Sequence, residues 1–219
     1  MRKITLITAL ILSVNFVFGQ NFTVKYDLKM KSSNPQVQAQ LGMMEGSKLA
    51  IYTKGTQSRT ESNMGAFITT INVIDAKKKK GILLMDGMMG KIASPYDLNQ
   101  ADDENDINKA EIQFVDETKE ILGYKCKKAI MSMGEEAEFT YWYTEDIKIS
   151  PEAMGKYVSN KIPGLPLEYT IEQEQVTLNF VATSVENSLK ETKGMFDVSV
   201  PKGYTVKTME EISKMGGGL

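Results

Sequence analysis

The chain has 219 residues with 26 basic and 28 acidic side chains, no histidine and a single cysteine. The formal net charge of −2 excludes the strongly basic surface that nucleic-acid-binding proteins usually carry. The absence of histidine excludes Ser-His-Asp and Cys-His catalysis and most zinc sites.

The first twenty residues have the layout of a secretory signal peptide. Arg2 and Lys3 precede an apolar run from Ile4 to Phe18, and Gly19–Gln20 offers a small residue at a cleavage point. The run is shorter than the roughly 20 residues that a membrane-spanning helix needs, and no cysteine follows it to accept a lipid anchor. We therefore expect residues 1–20 to be cleaved and the mature protein to be periplasmic or secreted, without a stable membrane span.

Alternating apolar and polar residues predict that most of the remaining chain is β-structure. In Phe22–Met30 every second side chain is apolar, which is typical of a half-buried strand. The same pattern predicts strands at Lys48–Lys54, Thr56–Asn63, Ala66–Asp75, Gly81–Asp86, Lys91–Ser94, two strands within Ile112–Met133 that turn near Leu122–Gly123, Ala137–Asp146, Pro166–Gln173, Gln175–Glu186 and Met195–Pro201. The charged stretch Ala76–Lys80 favours a hairpin between two of them.

Three short segments carry helix signals. Asn34–Met44 and Ser150–Asn160 each begin with a capping side chain followed by proline, and Thr208–Met215 is a weaker third candidate. Many strands and few helices predict a mainly β fold with a single curved antiparallel sheet, a half-barrel with two or three short helices on its concave side. We expect one domain over residues 21–212 and a flexible tail over 213–219.

Several predicted strands are apolar on both faces. Phe67, Ile71 and Val73 alternate with Ile68 and Ile74, whereas an open antiparallel sheet usually leaves one face in water. Both faces of this sheet therefore need cover, which packed helices or a hydrophobic ligand in the concavity could supply.

Three motifs resemble those of the GLPGLI family of Gram-negative envelope proteins. They contain Gly123, Tyr124, Cys126 and Ala129, then Trp142, Tyr143 and Thr144, then Gly164, Leu165, Pro166 and Leu167. The chain is also similar to a sibling domain of unknown function from the same envelopes, whose upstream half resembles Asn63–Asp86, and the resemblance covers roughly residues 45–205. The resemblance implies a LolA/LolB-like fold, which is an incomplete antiparallel barrel around a hydrophobic cavity. It also implies that the protein carries or senses an acyl chain or a lipoprotein.

The lone Cys126 and the methionines leave alternatives open. Cys126 is a buried small hydrophobe, an intermolecular partner or a reactive thiol. Clusters such as Met85, Met88 and Met89 are core filler, the lining of an adaptable hydrophobic cavity or soft ligands for Cu(I).

We expect a non-enzymatic protein that binds a hydrophobic partner, an acyl chain, a lipid or a lipoprotein of the cell envelope, and needs no cofactor or metal. The candidate lining residues are Phe67, Ile71, Leu84, Met85, Tyr141 and Tyr143. The carboxylate groups at 102–104 and 135–136 lie in polar stretches, where the shifted pKa values that catalysis needs are hard to produce. A Cu(I)-binding protein and an envelope interaction module without a small ligand are the alternatives.

Overall fold

The computed structural model describes residues 21–100, 110–133, 137–147, 159, 161–173 and 175–216. The elements, in chain order, are β1 (Phe22–Ser32), α1 (Pro35–Gly42), β2 (Lys48–Lys54), β3 (Gln57–Met64), β4 (Ile68–Asp75), β5 (Lys80–Gly87), β6 (Gly90–Asp97), a 3-10 turn (Leu98–Gln100), β7 (Glu111–Ile121), β8 (Tyr124–Met133), β9 (Ala137–Thr144), β10 (Leu165–Gln173), β11 (Val176–Glu186), β12 (Thr205–Val206) and α2 (Met209–Gly216).

The strands form one open sheet in the order β12-β6-β5-β4-β3-β2-β1-β11-β10-β9-β8-β7. Two antiparallel runs, β1 to β6 and β7 to β11, are joined where β1 pairs with β11. The predicted mainly β fold with a single sheet is confirmed. The described sheet is mixed rather than purely antiparallel, because the two residues of β12 lie parallel to Ile92 and Ala93 of β6.

Irregular pairing at three places bends the sheet. The register shifts between Lys25 and Tyr26 against β11, between Pro166 and Glu168 against β9, and between Val115 and Thr118 against β8. Such bulges increase the local twist and bend the strand that carries the extra residue. The sheet is curved, and Leu49 of β2 belongs to the same core cluster as Met131 of β8, although four strands lie between them.

The register divides the side chains between two faces, because directly paired residues point to the same side of a sheet. We call one side the tyrosine face, since it carries Tyr26, Tyr141 and Tyr169. The other side is called the arginine face, since it carries Arg59, which pairs with Tyr52 and Val73.

The prediction that the Ile68–Asp75 strand is apolar on both faces is confirmed. Ile71 and Val73 lie on the arginine face, and Ile68 and Ile74 lie on the tyrosine face. A core cluster that contains Val73, Ile82 and Phe196 packs on the arginine face. The chain itself therefore covers this surface, through residues 187–204, which we call the covering segment.

Both described helices begin at capping residues that the sequence indicates. The Asn34 Oδ1 accepts hydrogen bonds from the N–H groups of Gln36 and Val37 at 2.9 and 3.4 Å, which stabilises the start of α1. Thr208 and Glu211 form a reciprocal capping box at the start of α2, with distances of 2.7 and 3.1 Å. No residue of α1 is fully buried, so α1 contributes little to the core.

One predicted strand ends too early, and another does not form. The strand predicted at Lys91–Ser94 extends through Pro95 to Asp97 as β6, because these residues pair with Lys80–Ile82 of β5. In the described structure β12 pairs only with Ile92 and Ala93, so the missing N–H of Pro95 removes no bond to β12. The strand predicted at Met195–Pro201 does not form. Gly194, with φ +77°, turns the chain there, and Phe196 packs into the core.

Some predictions concern residues outside the part of the chain that the structure describes, or at its end. The signal peptide at 1–20, the carboxylate groups at 102–104 and 135–136, and all of the second predicted helix except Ser159 lie outside them. Of the residues in the predicted tail, 213–216 belong to α2, and 213–215 also lie within the helix predicted at Thr208–Met215. Within the described part of the chain, no helix has the length and apolar character needed to cross a bilayer.

Candidate functional site

Two apolar rows cross six neighbouring strands on the tyrosine face. The first row runs from β1 to β7 through Leu28, Phe180, Tyr169, Tyr141, Ala129 and Phe114, and the second runs through Met30, Leu178, Ile171, Phe139, Met131 and Ile112. Tyr169, Tyr141 and Ala129 are buried, and most of the second row is only half-buried. The second row, which we call the half-buried row, therefore leaves an apolar strip partly open to solvent.

Stacked aromatic rings run along the first row and join it to the half-buried row. The rings of Tyr169 and Phe180 stack at 4.3 Å, and Tyr141 stacks on Tyr169 at 6.1 Å and on Phe139 at 6.2 Å. Such pairs add stabilisation beyond the burial of their area. Burial raises the pKa of Tyr141, and its hydroxyl finds no hydrogen-bond partner in the described structure.

The arginine face carries a polar cleft of about 490 Å³ between the sheet and the covering segment. Its floor is formed by β1, β2, β3 and the end of β11, and its wall by the covering segment. The lining side chains on the sheet are Thr23, Lys25, Tyr52, Arg59, Glu61 and Glu186, and those on the covering segment are Lys190, Thr192, Lys193 and Met195, next to Gly194. The register places Tyr52 beside Arg59 and Thr23, so neighbouring strands bring these groups together.

Arg59 links the floor of the cleft to its wall. Its side chain is only 17% exposed, and its Nε donates to Glu61 Oε1 at 2.5 Å. Its Nη1 donates to the main-chain carbonyl oxygen of Met195 at 3.1 Å. The Thr23 hydroxyl donates to the Ser188 carbonyl oxygen at 3.1 Å. The covering segment is thus held to the sheet at both ends of the cleft.

The charges of the cleft act on Tyr52. Burial, together with the carboxylates of Glu61 and Glu186, raises the pKa of Tyr52, and the guanidinium of Arg59 opposes this rise. The phenol is therefore neutral at physiological pH and offers a hydrogen-bond donor and acceptor to a ligand. Cations, carboxylates and a hydroxyl that face one cavity are groups suited to bind a polar ligand.

The six residues predicted to line one ligand site occupy separate places. Ile71 and Leu84 pair with each other on the arginine face and pack with the core cluster of Phe196. Tyr141 and Tyr143 belong to the other core cluster. Met85 lies half-buried on the tyrosine face, opposite Thr70 and Ile92, and Phe67 lies half-buried in the turn before β4. Only Tyr141 belongs to the two apolar rows.

Cys126 is fully buried on β8. Burial raises the pKa of its thiol to about 11, against the opposing effect of the Lys119 ammonium. This is the opposite of the shift that a reactive thiol needs, so the structure supports the interpretation of Cys126 as a small core residue.

The methionines proposed as Cu(I) ligands are spread from core to solvent. Met85 is half-buried, whereas Met88 and Met89 are 85% and 52% exposed. The described residues hold no group of three or more His, Cys, Asp or Glu placed to bind a metal ion. Copper binding stays a prediction.

Sequence reasoning missed the polar cleft. A signal was present in β3, where Arg59 and Glu61 share one face of a strand that is polar on both sides and lies between apolar neighbours. The contribution of the covering segment could not be found in this way, because Lys190 and Met195 meet β3 only through the tertiary fold.

Comparisons with known proteins give one family match. The family model described as "N-glycanase peptide, N-terminal domain" matches residues 61–202. No curated protein sequence matches the chain significantly. The resemblance to the GLPGLI family and its sibling is not confirmed, since the matching family is a different one. The three motifs of this resemblance lie at the start of β8, in β9 and at the start of β10.

Solved structures with a similar fold include PNGF-II. Its C2 crystal form gives a TM-score of 0.54 at 19% identity, covering 90% of this chain and 32% of PNGF-II. Its P21 crystal form gives 0.55 at 18% identity, covering 91% and 34%. The chain thus spans about a third of the length of PNGF-II.

Two further structures are similar at lower identity. An uncharacterized conserved protein from Thermus thermophilus gives a TM-score of 0.50 at 10% identity, covering 87% of this chain and 91% of that protein. At these identities the likeness concerns the fold alone. A LolA superfamily protein, NE2245 from Nitrosomonas europaea, gives a TM-score of only 0.24, which does not establish a shared fold.

Proposed function

The chain belongs to the family of N-glycanase peptide N-terminal domains, and from this premise we propose that it is a non-enzymatic binding domain that holds an acyl chain against the tyrosine face. Its fold corresponds to about a third of the PNGF-II chain. An acyl chain would be free or attached to a lipid or lipoprotein of the cell envelope.

The half-buried row is the observation that carries this proposal. Met30, Leu178, Ile171 and Phe139 are all half-buried and lie on four neighbouring strands. A continuous apolar strip that stays partly open to water is typical of a surface that receives a partner. Next to it, the buried and stacked rings of Tyr169 and Tyr141 in the first row give the strip a rigid edge.

The length and chemistry of the strip favour an extended hydrophobic chain. Neighbouring strands are about 4.8 Å apart, so the four strands that carry Met30, Leu178, Ile171 and Phe139 span about 14 Å. A straight hydrocarbon chain needs no hydrogen bonds from its surroundings, and the second row offers none from its side chains. Each methylene that leaves water on binding contributes about 0.8 kcal/mol, so affinity accumulates along the strip.

The compartment follows from the predicted signal peptide. A periplasmic or secreted location would place the domain among lipids and lipoproteins. The proposal requires no cofactor, because a hydrophobic surface binds an acyl chain by burial alone.

Two measurements test the proposal. Native mass spectrometry of protein purified from its own envelope should show co-purifying acyl mass, and delipidated protein should bind a fluorescent fatty acid saturably. Ile171→Ser places a hydroxyl in the middle of the half-buried row and should weaken this binding by about tenfold. An empty spectrum together with no saturable binding would refute the proposal.

A matched substitution on the opposite face separates binding from folding. Val181 is half-buried on the arginine face, where it pairs with Asp27 and Glu168. Val181→Ser should therefore leave fatty-acid affinity unchanged. Equal losses for Ile171→Ser and Val181→Ser would show that the half-buried row is not the binding surface.

A further inference from the structure

The polar cleft on the arginine face carries charge that its own lining does not neutralise. We propose that it binds a small acidic sugar, a ligand with one carboxylate or phosphate group and several hydroxyls. The cleft and the half-buried row lie on opposite faces of the sheet, so this site is independent of the proposed acyl-chain site.

The lining side chains leave an excess of positive charge. Four of them are basic and two are acidic. Arg59 pairs with Glu61 at 2.5 Å, and Lys25 pairs with Glu186 at 3.8 Å. These pairs leave the ammonium groups of Lys190 and Lys193 without a carboxylate among the lining residues. The excess is local, because the whole chain carries a net charge of −2, and it favours an anionic ligand.

The carboxylates of the cleft select for a ligand that also donates hydrogen bonds. Ionised Glu61 and Glu186 are acceptors only, so they disfavour a bare anion and favour hydroxyl groups beside one. The Tyr52 hydroxyl adds a donor and an acceptor on the same floor. A sugar acid or sugar phosphate combines the negative group with the hydroxyls that this lining can satisfy.

The size and attachment of the cleft suit a small ligand. A volume of about 490 Å³ lies within the range of sites for small molecules. The covering segment is fastened to the sheet by Arg59 and Thr23, and Lys54 pairs with Glu191 at 2.6 Å. Since the wall is already held in place, little ordering is needed on binding.

The test titrates the purified protein with N-acetylneuraminic acid, with its uncharged methyl ester, and with glucose 6-phosphate beside glucose. We expect saturable binding of at least one of the two acids, followed by calorimetry or amide chemical shifts. The uncharged partner of that acid should bind at least about tenfold more weakly. The carboxylate and phosphate arms identify which anionic group the cleft prefers.

The variants compare the cleft lysines with a matched pair elsewhere. Lys190→Gln/Lys193→Gln should weaken binding of the acid by about tenfold. Lys29→Gln/Lys31→Gln removes the same two charges from exposed positions of β1 and should leave binding unchanged. Circular dichroism should show that both pairs of variants keep the fold, as expected for exposed side chains.

Four outcomes would overturn the proposal. These are equal binding of the acid and its uncharged partner, equal losses in the two double variants, no saturable binding of either acid at millimolar concentration, and tighter binding of L-glutamate than of either sugar. The last outcome would assign the cleft to amino acids instead.

Discussion

The Tyr26 hydroxyl donates a hydrogen bond of 2.7 Å to the main-chain carbonyl oxygen of Pro166, and both residues are buried. The bond joins β1 to β10 across the intervening β11, at the place where Pro166 adjoins a register shift against β9. The hydroxyl gives a hydrogen-bond donor to a buried carbonyl group that the irregular strand pairing would otherwise leave unpaired. Removal of the hydroxyl should therefore cost more than its size suggests.

We expect Tyr26→Phe to lower the free energy of unfolding by about 1–3 kcal/mol, the cost of a buried acceptor that loses its donor. Urea denaturation of the two proteins measures the difference. A change within about 0.5 kcal/mol would show that the Pro166 carbonyl finds another donor.

Tyr141→Phe should have the opposite effect. The Tyr141 hydroxyl is buried and has no hydrogen-bond partner in the described structure. Its removal relieves an uncompensated desolvation, so the free energy of unfolding should stay the same or rise by about 1 kcal/mol. The same denaturation series includes this variant beside Tyr26→Phe. A loss as large as that of Tyr26→Phe would show that the Tyr141 hydroxyl does have a partner.

The buried thiol should contribute to alkaline unfolding. Folding raises the pKa of Cys126 from 9.0 to about 11, so the unfolded chain loses this proton at lower pH than the folded protein. Below pH 9 both states keep the proton and stability is unaffected, whereas between pH 9 and 11 stability falls as the pH rises. Between pH 9 and 11, Cys126→Ala should lose less stability than the unchanged protein. Denaturation of both proteins at a series of pH values measures this difference. Parallel curves would contradict the raised pKa.

Cys126 should also resist modification while the protein is folded. With none of its surface exposed, the thiol should react with a colorimetric disulfide reagent at neutral pH only at the rate of unfolding. In denaturant, one thiol per chain should react at once. Fast reaction without denaturant would mean that β8 opens locally or that Cys126 is a reactive thiol.

The β7–β8 turn offers a stabilising substitution. Leu122 and Gly123 both have positive φ, +52° and +81°, which is the backbone of a type I′ hairpin turn. Leucine is strained there and its side chain is 47% exposed, whereas asparagine tolerates this conformation. Leu122→Asn should raise the free energy of unfolding by about 0.5–1 kcal/mol in a denaturation experiment. The control Ile121→Asn changes a residue in the regular part of β7 and should give no such gain.

Much of the fold could be predicted because its signals are local. The apolar alternation of Phe22–Met30, the charged hairpin at Ala76–Lys80 and the turn at Leu122–Gly123 each follow from neighbouring residues, and all three agree with the structure. The reliance on local signals also explains why the prediction of a strand at Met195–Pro201 is wrong. Its alternation serves to bury Phe196 against the arginine face, and no local pattern distinguishes that contact from pairing within a sheet.

The candidate sites could be predicted only in part. The sequence requires both faces of strands such as Ile68–Asp75 to be covered, but it does not say what covers them. Ile71 and Leu84 were predicted to line a ligand site, and in the structure they pack in the core cluster with Phe196 of the covering segment. The half-buried row and the polar cleft each draw on strands far apart in the chain, so neither could be assembled from spacing alone.

The sequence by itself determined a mainly β domain with apolar residues on both sides of its strands, two helix starts at capping residues and a cysteine with no partner in its own chain. Tertiary structure alone decided which strands are neighbours, because the pairing of β1 with β11 joins residues about 150 positions apart. It also decided which apolar face the chain covers and where Arg59 meets the covering segment. Local patterns record the preference of each segment for water or for a core, whereas the meeting of distant segments depends on the shape of the whole sheet.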